Sequence, residues 1–99
     1  MALIFHLTYA DAWESARPTG EYAAPSLAEE GFIHCSQDEA QMLAVANRLY
    51  AGLDGLLTLE VDTGRLSWPV KYELSRSGEI YPHIYGPLNT DAVVKVRTM

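Results

Sequence analysis

Three histidines, His6, His34 and His83, are the side chains best able to move protons near neutral pH. Each lies in, or at the end of, a segment of strand character with apolar neighbours. Histidine is often partly buried for structural reasons, so each taken singly reads first as structural. Three in such settings strengthen the case for a shared site, because strands hold side chains rigidly. The histidines are 28 and 49 residues apart, with no HxxxH, HxH or CxxC spacing. Three strands can still converge on zinc through three histidines, but only the number of histidines points that way, and no metal is expected. Neither a phosphate-cradling glycine loop nor GxSxG occurs.

His34 adjoins the chain's only cysteine in GFIHCS, residues 31–36. Strand neighbours point to opposite faces, so His34 cannot take the proton of Cys35. Cys35 shares a face with Ile33, which reads as core, and a thiol in apolar surroundings is inert. His34 shares the other face with Phe32 and Ser36, a face open to a cleft. Ser36 also precedes Glu39 by three positions, the spacing of a helix capping box. A helix start there would offer free N–H groups to an anion. Tyr81, His83 and Tyr85 share one face of a later segment. Such a row suits stacking on a flat ligand, and equally an ordinary apolar edge. Glu60, Glu73 and Glu79 are available as acids or bases, each also readable as a solvated strand residue.

The elements that must position these groups follow from periodicity. Residues 3–9 alternate, with Leu3, Phe5, Leu7 and Tyr9 on the apolar face and Ile4, His6 and Thr8 on the other. Thr8 and Asp11 resemble a capping box, predicting a short helix over 10–17 that buries Trp13. Pro18, Gly20 and Pro25 mark a loop, followed by a helical turn at 26–30. Phe32 to Cys35 is a short strand. The spacing of Met42, Leu43, Ala46, Leu49 and Tyr50 predicts a helix over 37–51, capped by Ser36 and ended by Gly52. LLTLEVD, 56–62, alternates cleanly, with Leu57, Leu59 and Val61 inward. Strand 70–74 pairs with 79–85 as a hairpin, and Pro82 demotes the second to an edge or bulged strand. Ala92, Val94 and Val96 place a last strand at 92–97. The sum, about six strands and two main helices in a bent or split mixed sheet, predicts an α+β fold.

Composition bounds the function. The 99 residues predict one domain, 1–99, since two cores would each be too small. With 48% apolar and 20% charged residues, the chain reads as an ordinary soluble protein. No stretch is apolar enough to span a membrane, and the N-terminus does not read as a signal peptide. One cysteine agrees with a reducing, cytoplasmic compartment. A net charge of −6 argues against general nucleic-acid binding, though not against a small anion held by a local arginine. Arg48 and Arg76 are candidates that the sequence does not place.

Three segments together, IFHLTYADAW, EEGFIHCSQDEAQ and YELSRSGEIYPHIYGPLN, resemble a bacterial family called domain of unknown function 952. More distantly the chain resembles the ADP-ribosyltransferase superfamily. That resemblance implies a cleft in a split sheet, with NAD as co-substrate rather than a permanently bound cofactor. It implies that His6 orients a ribose and that His34 and Ser36 lie near the nicotinamide or pyrophosphate. It implies that His83 or Glu73 stands where the superfamily has a glutamate. The expected catalytic residues are thus His6, His34 and His83. The expected ligand-binding residues are His6, His34, Ser36, Tyr85 and Glu73, and the expected partner is a small nucleotide-like molecule. A non-catalytic ligand-binding module and a structural interaction protein are the alternatives.

Overall fold

The computed structural model describes residues 2–99. Strand β1 (Leu3–Tyr9) runs into helix α1 (Ala10–Ala16), then β2 (Glu21–Tyr22) and α2 (Pro25–Glu30). β3 (Ile33–His34), α3 (Glu39–Leu49) and β4 (Leu56–Asp62) follow. The last third holds β5 (Val70–Leu74), β6 (Ile80–Ile84), β7 (Leu88–Asn89) and β8 (Val93–Thr98). The described residues form a small α+β domain with eight strands in three sheets and three α-helices, where the sequence predicts about six strands and two main helices. The additional strands, β2 and β7, have two residues each, too few to show a period.

The sheets have orders β1-β4-β8, β2-β7 and β3-β6-β5, and every pairing is antiparallel. The expected mixed sheet is therefore corrected: its strands are joined by reversals and by helices that cross between sheets. One backbone bridge links the two three-stranded sheets. Phe5 of β1 and Ser36, just past β3, exchange two backbone hydrogen bonds of 2.9 and 2.7 Å.

The core gathers Ile4, Ile33, Leu59, Val61, Ile84 and Leu88, all fully buried, with Trp13 of α1 and Tyr22 of β2. β4 is covered on both faces. Leu57, Leu59 and Val61 enter the core, while Thr58, expected to face outward, is buried beneath Met42 of α3. β1 inverts its expected polarity: Ile4, His6 and Thr8 are buried, and Tyr9 is exposed. Val94 and Val96 are exposed as well, and the inward position of that segment is Ala92, in the turn before β8.

Helix α3 starts later than predicted. Ser36 is held extended by its bridge to Phe5, so it cannot cap the helix. Asp38 does so instead, accepting from the Gln41 N–H at 2.8 Å. Thr8 likewise caps nothing, because its hydroxyl bonds Tyr22 and α1 begins without a side-chain cap. Pro82 lies in the central strand of its sheet, not at an edge. The Cys35 N–H donates to Pro82 O at 3.0 Å, and proline has no N–H to return. The β3–β6 ladder stops there, so the strand is central only over its last residues.

Candidate functional site

A cleft of about 360 Å³ opens where the two sheets part. β1 contributes His6 and Leu7, the β3 corner His34 and Ser36, and β6 Tyr81 and His83. The last turn of α3 adds Arg48, which the sequence leaves unplaced. Four predicted site residues, His6, His34, Ser36 and His83, thus line one cavity. Glu73 and Tyr85 are not among its walls. Glu73 bonds His83, and Tyr85 bonds Glu73.

His6 forms the floor and is 5% exposed. Its Nδ1 lies 2.6 Å from the backbone carbonyl of His34, and a carbonyl only accepts, so Nδ1 carries a proton. Burial lowers its pKa to about 4, so at neutral pH the Nε2 is a bare lone pair. Tyr22 Oη, 2.9 Å away, donates to it. Tyr22 Oη also lies 2.8 Å from Thr8 Oγ1, and this hydroxyl pair continues the chain of bonds. The chain Thr8–Tyr22–His6–His34 crosses from β1 through β2 to the corner that carries His34. His6 lies on the buried face of β1, at the floor of the cleft, and both of its nitrogens are occupied.

His34 is exposed, and its Nε2 lies 2.7 Å from Glu30 Oε2 at the end of α2. Its ring stands edge-on to Phe32 at 4.9 Å and to His83 at 5.2 Å between centroids. His83 is held more tightly. Its ring stacks on Phe32 at 4.0 Å and 22°. Its Nδ1 lies 2.8 Å from Glu73 Oε1 on the facing strand β5. The same carboxylate oxygen accepts from Tyr85 Oη. These bonds, Tyr85 first and then His83, hold the Glu73 carboxyl below the usual carboxylate range, and the Tyr85 phenol is raised by the same contact. Lys71 Nζ sits 4.7 Å over the Tyr85 ring. Strand alternation explains the cluster. Lys71 pairs with His83 and Glu73 with Tyr81, so one face of the hairpin gathers Lys71, Glu73, Tyr81, His83 and Tyr85.

Cys35 points the other way. It is buried in the core, and burial raises its thiol far above the ordinary range. Among the described residues no three histidine, cysteine, aspartate or glutamate side chains converge as a metal site would require. Among the described residues no helix is long and apolar enough to cross a membrane.

The fold has solved relatives. The crystal structure of protein CC0527 from Caulobacter crescentus matches with a TM-score of 0.84 and 32% identity, over 97% of this chain and 84% of that one. Its solution NMR structure matches with a TM-score of 0.84 and 29% identity, over 100% and 85%. No curated protein matches. The family model described as "Protein of unknown function (DUF952)" covers residues 7–96, and the chain belongs to that family.

Proposed function

We propose that this protein binds a small nucleotide-like ligand in the cleft at the sheet joint. The observation that carries the reading is the convergence of His34, His83, Ser36 and Arg48, from three separate elements, on one cavity of about 360 Å³. Small-ligand sites are concave and mostly apolar, with a few polar groups that converge. Leu7, Val45 and Leu49 supply apolar wall, Tyr50 and Tyr81 supply ring faces for a base, and Arg48 is the cation for a phosphate.

The resemblance to ADP-ribosyltransferases suggests NAD as a ligand, with transfer of its ADP-ribose. Transfer needs a negative or accepting group beside the sugar, where positive charge develops. The two carboxylates that bond the cleft histidines are both engaged and neither lines the cavity, Glu73 being held by Tyr85 and His83 and Glu30 by His34, which favours binding over transfer. The lone buried Cys35 fits a cytoplasmic setting.

Thermal melts with adenosine monophosphate, ADP-ribose and NAD test the reading. At about 100 times its dissociation constant, a true ligand adds roughly 2.7 kcal/mol of stability. Arg48→Ala and His34→Ala should weaken that stabilisation at least several-fold in ligand concentration. Absence of any shift with all three ligands overturns the nucleotide reading. Release of nicotinamide from NAD would restore the transferase.

A further inference from the structure

The restraints on His83 point beyond the presence of a histidine in the cleft. Its ring is fixed on three sides: Phe32 stacks on one face, the His34 ring abuts it edge-on, and Glu73 bonds Nδ1. A carboxylate only accepts hydrogen bonds, so Nδ1 must carry the proton whether the ring is neutral or charged. Tyr85 donates to the same Glu73 oxygen, and the lowered carboxyl pKa keeps that acceptor ionised. A neutral His83 is therefore left with its lone pair on Nε2. Among the described residues no group bonds Nε2, and the side chain, 12% exposed, borders the cleft.

The geometry points to Glu73 as a positioning residue that fixes His83 in one tautomer, so that His83 Nε2 is a hydrogen-bond acceptor for the ligand. This rests on the binding reading above and deepens it. The ligand group at this point is a donor, a sugar hydroxyl, and not an ionised phosphate oxygen, which would face a lone pair. Phosphate belongs at Arg48. Carboxylates hold histidines in this way wherever one ring nitrogen must be presented to a ligand.

Two measurements test the assignment. The first needs no ligand: nitrogen NMR of the imidazoles, at a pH where His83 is neutral. The expected result is protonated Nδ1 and bare Nε2 in the wild type and in Tyr85→Phe, which keeps the carboxylate. In Glu73→Ala the ring should become a mixture of tautomers, and Glu73→Asp should restore part of the preference. Protonated Nε2 in the wild type, or an unchanged tautomer in Glu73→Ala, overturns the assignment. The second compares adenosine monophosphate with its 2′,3′-dideoxy analogue. The analogue should bind roughly tenfold more weakly, the scale of one lost hydrogen bond of about 1.4 kcal/mol. His83→Ala should erase the difference, and equal binding of the two by the wild type overturns the donor assignment. If neither nucleotide binds, the nucleotide reading falls, and the tautomer alone upholds or overturns the role of Glu73.

Discussion

His6 gives burial a pH signature. Its pKa is lowered, first by desolvation, to about 4 in the folded chain, against an ordinary 6.5 when unfolded. The unfolded chain therefore binds this proton more readily, and stability is present above pH 6.5 and lost as pH falls toward 4. The loss from this one group is on the order of 3 kcal/mol by pH 4. In urea melts, His6→Phe should be less stable than wild type at pH 7 by about 1–3 kcal/mol, because Tyr22 and the His34 carbonyl lose their partner. The gap should narrow at pH 4.5, and a gap that widens there would contradict a neutral buried His6. Cys35 invites a simpler check: a thiol reagent at pH 8 should label it only after denaturant is added. At this scale the sequence separates Cys35 from His34 correctly, because alternation alone decides it. It does not foresee how deeply His6 is buried, because the less apolar face of β1 is covered by a polar partner, Tyr22, sixteen residues away. No local pattern reveals that pairing.

At the scale of elements, the strands at 3–9, 56–62 and 70–74 are legible because seven or five alternating residues carry a period. The start of α3 is ambiguous in sequence. Ser36 with Glu39 and Asp38 with Gln41 both have capping spacing. The bridge between Ser36 and Phe5 decides between them, and it is a tertiary contact. Asp38→Ala should therefore cost about 1 kcal/mol, while Ser36→Ala should cost less than about 0.5 kcal/mol. Chemical denaturation of the two variants distinguishes them, and the reverse order would return the cap to Ser36. Gly86, just after β6, is constrained from outside. A β-carbon there would lie 2.1 Å from Cγ of Trp68, near the root of the indole. Gly86→Ala should then cost about 1–3 kcal/mol by overpacking and shift the Trp68 fluorescence. An unchanged spectrum and melting point would show that the indole moves aside freely.

Across the whole molecule, the two three-stranded sheets are unequal partners. The first has β4 at its centre, buried on both faces and paired along its length on both sides. It is also tied to α3, since Arg97 of β8 reaches Glu39 at 2.7 Å and Glu60 at 2.8 Å. The second sheet has a two-residue edge strand, β3, and its other edge exposes Tyr72 and Leu74. Its hydrogen-bonded links to the first are the Phe5–Ser36 bridge and the bond from His6 to the His34 carbonyl, beside the core that Ile33 and Ile84 share with Ile4, Leu59 and Val61. Local opening follows the sparser contacts. Native-state hydrogen exchange should therefore show Leu57, Leu59 and Val61 exchanging only with global unfolding, and the amides of β5 and β6 exchanging at lower free energy. Uniform protection across both sheets would mean that the joint transmits cooperativity better than its few bonds suggest. The cleft sits on this joint, with Leu7 on one sheet, His34 and His83 on the other and Arg48 on α3. A ligand touching all of these binds only the closed arrangement, so it should raise the protection of the β6 amides toward that of β4. A ligand that stabilises the protein in melts yet leaves this difference unchanged would be bound elsewhere than at the joint.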